Sequence, residues 1–250
     1  MSRRHVKVAK EATGEFSMPA TDAWTRRANY RAVELEKRGV FWRHDRNPKR
    51  PYVRLRSGLI SDGYFNGSVL SESPALLDYV VGELVHEYLA RKENSRYPNR
   101  IIGPAMGAIT FTHEVARQLD NRLVADGQIR MSYAEKDGDQ FVFKRNPPLL
   151  GEHVMFVEDT ITTAGSIRKV RDATLRTLGK ISYEEFLLVL CNRSGETRLD
   201  FEMMEVISYV DADFRTWKEG ENPFTSDGRE LVPVVEDAKQ NWHLLTQAYE

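Results

Sequence analysis

Apolar residues along this chain recur with two periods, and the switches between them outline its elements. Between Thr21 and about Arg38, Trp24, Ala28, Ala32 and Leu35 return every three or four residues behind a Thr21-Asp22 cap, which predicts a helix. The segment YVRLRSGLISDGYFN alternates and turns at its glycines, predicting short strands around a loop. Pro74 opens a second amphipathic helix, ALLDYVVGELVHEYLARK. RIIGPAMGAITFTHEVARQL reads as a short strand, a Gly/Pro loop and a helix, and IRMSYAEKDGDQFVFKR as two extended arms around a hairpin turn at Asp137-Gly138. HVMFVEDTITTAGSIRKV repeats the order strand, loop, helix, and EEFLLVLCNRSG adds a buried strand that ends in a polar loop.

Helices alternating with wholly apolar strands predict an α/β fold in which a central, mainly parallel sheet is flanked by helices. A chain of 250 residues suits one main domain with additions. Residues 1–20 are polar and aperiodic and are expected to be flexible, 21–197 are expected to form the core, and 198–250, with short apolar pieces around ISYV and LVPVV, an appended lobe of the same domain.

Composition removes several classes of function. With 41% hydrophobic and 29% charged residues and a formal net charge of −1, the chain has the balance of an ordinary soluble protein, and no nucleic-acid partner is expected. Charge is uneven, since residues 1 to 56 hold fifteen Lys and Arg against six Asp and Glu, a pattern read as a solvated basic face. The one cysteine, Cys191, lies inside an apolar run, which rules out an intrachain disulfide and suits a reducing compartment. No apolar run approaches the roughly 18 residues of a membrane span, and the opening MSRRHVKVAKEATGEF lacks the apolar centre of a signal peptide, so a cytoplasmic location is expected.

The chemistry concentrates where the strand VMFV runs into Glu158-Asp159 and then TITTAGS. Strand carboxyl ends form the ligand crevice of an open parallel sheet. Two adjacent carboxylates there require cations or hydroxyl donors, and ribose hydroxyls or Mg²⁺ meet that need. The small hydroxyl-rich loop that follows offers the free N–H groups that wrap a phosphate at a helix amino terminus. It is not a P-loop, because Gly165 is followed by Ser166-Ile167 and not by Lys-Ser or Lys-Thr, and the three spaced glycines of a dinucleotide loop are absent. His113-Glu114 and His86-Glu87 lack the second histidine of a zinc helix.

The combination of apolar strand, acidic pair and Thr-Thr-x-Gly-Ser resembles the phosphoribosyl-pyrophosphate signature of type I phosphoribosyltransferases. RLRSGLISDGYFNGS, IIGPAMGAITFTHEVAR, YAEK and VLCNRSG fall in the order found in the orotate phosphoribosyltransferase family, a resemblance over roughly residues 50 to 195. It implies a small hood built from the amino- and carboxyl-terminal segments above the core. Glu158 and Asp159 would bind the ribose hydroxyls, and Thr160, Thr162, Thr163, Ala164, Gly165 and Ser166 the 5-phosphate. Ala164 stands where many relatives have glycine, a small departure provided that its φ stays negative. Pro104, Ala105, Met106 and Gly107 would line the pyrophosphate, in a loop where the family often has a cis peptide that is not at proline. Tyr64 and Phe65 would pack on a planar base and Arg193 would meet its polar edge. Arg56 and Lys136, with Asp159, would be the catalytic groups, and Lys144 and Arg145 possible helpers on the returning arm of a mobile hairpin. The resemblance further implies Mg²⁺ held mainly through the substrate with no direct protein ligand, a homodimer, and transfer of the 5-phosphoribosyl group to orotate. The same residues also admit a regulatory phosphoribosyl-pyrophosphate binder with little turnover, or a transferase for another base.

Overall fold

The computed structural model of the chain describes residues 20–55, 57–93, 96–125, 127–199, 204–219, 221 and 233–249. The flexibility expected of the first twenty residues therefore falls almost wholly outside the described residues. The amino-terminal part contains α1 (Ala20–Lys37), β1 (Phe41–Arg43), β2 (Tyr52–Arg54), β3 (Ile60–Ser61), β4 (Gly63–Phe65) and α2 (Gly67–Glu72). The centre contains α3 (Pro74–Arg91), β5 (Arg100–Pro104), α4 (Ile109–Leu123), β6 (Arg130–Asp137), β7 (Gln140–Val142), β8 (His153–Ile161), α5 (Gly165–Leu178) and β9 (Ser182–Asn192). The chain then continues through β10 (Arg198–Leu199), β11 (Met204–Asp211), β12 (Thr216–Trp217), β13 (Val234–Val235) and α6 (Trp242–Thr246).

Among the described residues, seven strands form the main sheet in the order β10-β11-β9-β8-β5-β6-β7, parallel except for β10 and β7 at the two edges. Because side chains alternate along a strand, the unbroken apolar run of β8 is needed only if both faces are covered. They are: Met155 and Val157 pack in the cluster that contains Leu84 of α3 and Phe111 of α4, while Val154 and Phe156 pack with Ile167 and Val170 of α5. A second sheet, β12-β3-β2-β13, and the β1–β4 ribbon build the hood, whose core is Trp42, Val53, Val235, Ala238 and Leu245.

Two expectations shift. The residues after Arg198 do not all belong to an appended lobe, because β11 lies inside the main sheet, parallel to β9, with β10 on its outer side. The β6–β7 turn is displaced by one residue: Asp137 pairs with Gln140, so the two loop residues are Gly138 and Asp139, and Gly138 takes the positive φ of +59° that the tight connection requires.

At the amino ends of the strands, opposite the ligand crevice, Lys92 Nζ lies 2.6 Å from Glu184, and His153 bridges Glu184 at 2.7 Å and Ser182 at 2.9 Å. His153 is thus part of a buried network. His113 sits exposed on α4.

Candidate active site

The carboxyl ends of β5 and β8, the middle of the β6–β7 hairpin and the start of α5 enclose a cavity of about 650 Å³. The alternation that sorts the apolar residues of β8 also sorts its two carboxylates. Glu158 follows Phe156 onto the α5 side, where Ser166 donates a hydrogen bond to it. Asp159 falls on the other side, against the loop after β5, so close to Gly107 that a Cβ there would overlap the Asp159 carboxylate. Glycine at 107 is thus required by a close approach and not by a turn.

Both carboxyls are pushed up by burial. Glu158, 5% exposed, is raised to about 8 by desolvation and by the neighbouring Asp159, and its Oε2 has no hydrogen-bond partner among the described residues. Asp159 is raised by burial, an effect that the Thr160 backbone N–H and Lys239 oppose. Glu158 is therefore under-satisfied and Asp159 partly compensated, which suits the pair to accept hydrogen bonds from hydroxyl groups or to face a cation.

Thr160, Thr162 and Thr163 lead from β8 to the amino terminus of α5, and with Ala164, Gly165 and Ser166 they line the same cavity. No side chain among the described residues caps this helix, so its first-turn N–H groups are left to a ligand. Ala164 has φ +56°, so the condition under which alanine is a small departure from glycine is not met. The bend that brings β8 into α5 uses a left-handed residue at this point, and alanine adopts it at a cost of about 1 kcal/mol or more. Pro104, Ala105, Met106 and Gly107 form the opposite wall. The Ala105–Met106 peptide is cis, as the resemblance implied, and α4 likewise starts without a side-chain cap.

Three lysines among the described residues reach the cavity. Lys136 projects from β6 opposite Phe141, its cross-strand neighbour, which also lines the wall. Lys169 of α5 and Lys239 of the carboxyl-terminal segment join it. Neither was predicted. Lys169 was within reach of helical spacing, four residues beyond Gly165 and so on the same face. Lys239 had no local signal at all. Lys144 and Arg145 stand outside the cavity's lining, beside Asp137 at 3.5 Å and Glu135 at 3.7 Å.

The residues expected at the base lie outside this cavity's lining. Phe65 is 6% exposed and packs in the main core, because β4 alternation turns it inward, and Tyr64 faces the hood, 5.8 Å from the Trp242 ring. The Arg193 guanidinium stands 5.1 Å from the Phe214 ring, its pKa lowered by burial, with Nε lacking a partner among the described residues. Arg43 stands 5.9 Å from the same ring, so Phe214 is flanked by two guanidinium groups, an arrangement that no spacing in the sequence announced. Arg56 lies outside the described residues.

A parallel sheet whose central strand ends in paired carboxylates, followed by an uncapped helix start, under a hood, defines the class: this is a type I phosphoribosyltransferase fold. The orotate phosphoribosyltransferase of Mycobacterium tuberculosis H37Rv shares it, with a TM-score of 0.52 at 17% identity over 72% of this chain and 95% of that one. Among sequences, the orotate phosphoribosyltransferase of Pelotomaculum thermopropionicum is 32% identical over 173 residues, covering 68% of this chain and 84% of the relative. That of Carboxydothermus hydrogenoformans is 28% identical over 185 residues, covering 74% and 87%. No protein-family model matches the chain. The chain belongs to the orotate phosphoribosyltransferase family.

Proposed function

We propose that this protein transfers the 5-phosphoribosyl group of phosphoribosyl pyrophosphate to orotate, with Mg²⁺, giving orotidine 5-monophosphate and pyrophosphate in pyrimidine nucleotide synthesis. The observation that carries the reading is the convergence, in one cavity, of two buried carboxylates, the uncapped start of α5, the 104–107 loop and three lysines. Glu158 and Asp159 accept the ribose hydroxyls, and the N–H groups from Thr160 to Ser166 hold the 5-phosphate at the α5 dipole. The 104–107 loop and Lys136 receive the pyrophosphate.

In this reaction the bond from the ribose C1 to the pyrophosphate oxygen breaks and a ring nitrogen of the base forms the new one. Positive charge develops on the sugar and negative charge on the leaving group. Lys136 and Lys169 stabilise the departing charge, and Asp159, beside the ribose, tolerates the electron-poor carbon. Mg²⁺ seeks oxygen ligands, and the oxygen-rich floor, with one Glu158 oxygen free of partners among the described residues, fits an ion held mainly by the substrate. When bound, it would neutralise diphosphate charge. We assign the planar, anionic base to Tyr64 and Arg193, which stand outside the lining of the phosphate cavity, and to Arg56, which lies outside the described residues.

No described helix is long and apolar enough to cross a membrane. A cytoplasmic location is supported by the buried free thiol of Cys191. A homodimer is supported by the exposed side chains Tyr30, Val33 and Tyr79 on α1 and α3. The test is to supply Mg²⁺ and phosphoribosyl pyrophosphate with a panel of bases and to follow pyrophosphate release. Release with orotate alone is expected, and Lys136→Ala should lower the rate by roughly two orders of magnitude. Turnover with a different base would move the acceptor, and binding of phosphoribosyl pyrophosphate without turnover on any base would replace the enzyme with a regulatory binder.

A further inference from the structure

Lys239 reaches the cavity from a part of the chain that the strand, loop and helix motifs do not contain. It lies in the turn between β13 and α6, and that turn is fixed on both sides. Before it, Val234 and Val235 pair in parallel with Tyr52 and Val53 of β2. After it, the Trp242 indole N–H donates to the Gly39 carbonyl at 3.1 Å, and Leu245 is fully buried in the hood core. Within it, the backbone N–H groups of Gln240 and Asn241 both return to the Asp237 carbonyl, at 3.0 and 3.1 Å. Ala238 is 3% exposed and packs in the hood cluster, whereas the next residue, Lys239, is exposed to the cavity that holds Glu158 and Asp159. The turn therefore faces two ways, with an apolar anchor inward and a cation over the site.

Lys239 forms no ion pair among the described residues, yet its charge is near enough to oppose the upward shift that burial imposes on Asp159. Beyond Lys136, the β6–β7 hairpin places no further cation in the lining of the cavity: its loop is only Gly138 and Asp139, and Lys144 and Arg145 point to Asp137 and Glu135. A diphosphate presents several negative charges spread over its terminal and bridging oxygens, and Lys239 offers it a cation on the hood side of the cavity, where neither Lys136 of β6 nor Lys169 of α5 arises.

We propose that Lys239 binds the diphosphate of phosphoribosyl pyrophosphate, so that the carboxyl-terminal part of the hood, and not the hairpin, places the cation above the ribose carboxylates. The assignment rests on reading the cavity as a phosphoribosyl-pyrophosphate site. It also gives the hood a second role, in which β13 and α6 hold a charge in register with β8.

The test compares wild type, Lys239→Gln and Lys239→Arg in the full chain, with phosphoribosyl pyrophosphate and Mg²⁺ titrated by calorimetry and KM determined for each substrate. Lys239→Gln should weaken phosphoribosyl-pyrophosphate binding about tenfold and leave the KM for orotate within about twofold, and Lys239→Arg should restore most of the loss. A loss under about fivefold in Lys239→Gln, or one that arginine does not reverse, overturns the assignment. Thermal unfolding of each variant separates a folding defect from a binding one, and Lys239→Met, which keeps the apolar stem, repeats the measurement if glutamine perturbs the turn. If wild type itself does not bind phosphoribosyl pyrophosphate, the site reading fails, an outcome distinct from failure of Lys239 alone.

Discussion

Glutamine at position 158 is expected to stabilise the ligand-free protein while weakening its hold on the ribose. The Glu158 carboxyl is buried beside Asp159 and raised to about 8 from an ordinary 4.5. Between those two values the folded chain keeps a proton that the unfolded chain has released, so stability falls as pH rises through this window and is unaffected below it. At pH 7, which stands about 2.5 above the unfolded value, the penalty is on the order of 3 kcal/mol, whereas at pH 5 it is under about 1 kcal/mol. Glutamine has nearly the shape of the protonated acid and does not titrate. Urea unfolding of wild type and Glu158→Gln at both pH values should therefore show a gain for the variant at pH 7 that nearly vanishes at pH 5. The amide's buried donors add a cost that is the same at both, so the change with pH carries the test. Binding of phosphoribosyl pyrophosphate at pH 7 should fall by up to about tenfold, since a charged acceptor contributes roughly 1.5–3 kcal/mol to its hydrogen bonds and releasing the proton that Glu158 still holds at that pH offsets about 1.4 kcal/mol of it. A stability difference that is identical at the two pH values would refute the reasoning.

Two further outcomes concern the scaffold. Ala164→Gly should relieve left-handed strain of about 1–2 kcal/mol, reduced by the greater unfolded-state entropy of glycine, so that the melting temperature stays level or rises while activity is retained; a clear fall in melting temperature would contradict the φ assigned to this bend. At the far end of the sheet, burial alone would raise Glu184, but hydrogen bonds from His153 and Lys92 outweigh it and hold the carboxyl below its usual 4.5. Its contribution is thus complete above that value and lost as pH falls through the lower, folded one, so Glu184→Gln, which leaves the Lys92 ammonium buried, should cost about 3–5 kcal/mol at pH 7 and flatten the acid limb of the stability curve, as read by urea midpoints from pH 3 to 7.

The parts of the site that the sequence discloses are those in which neighbouring residues act together. Glu158 to Ser166 and Pro104 to Gly107 are continuous segments, each following a strand buried on both faces, and an apolar run that stops at charges marks the strand end unaided. What escapes is convergence. Lys239 arrives through a two-residue strand pair, too short to have a period, and Phe214 comes to Arg193 from beyond β11. The place of β11 escapes for a related reason: the usual cue for a parallel neighbour is an intervening helix, and between β9 and β11 the described residues hold only the short β10. The Tyr64-Phe65 pair shows the opposite limit, since two adjacent aromatics on a strand must face opposite ways and nothing in their chemistry says which one faces inward.

These features share an energetic logic. Around one cavity the free protein carries two carboxyls raised by burial, a left-handed alanine, helix starts without caps and lysines that form no ion pair among the described residues. Each is unfavourable or neutral for folding alone, and on the proposed reading all but the backbone of Ala164 would be relieved by one ligand that brings hydroxyls and phosphates together. The opposite end of the same sheet, where Lys92, Glu184 and His153 satisfy one another, has no such need. The site is therefore held in shape by the sheet and the hood while its own groups wait on the donor, so binding should stabilise the fold. A ligand that brings the 5-phosphate and the ribose hydroxyls but no diphosphate, such as ribose 5-phosphate without Mg²⁺, should raise the melting temperature less than phosphoribosyl pyrophosphate with Mg²⁺ does, because Lys136, Lys169 and Lys239 would still lack their counter-charge.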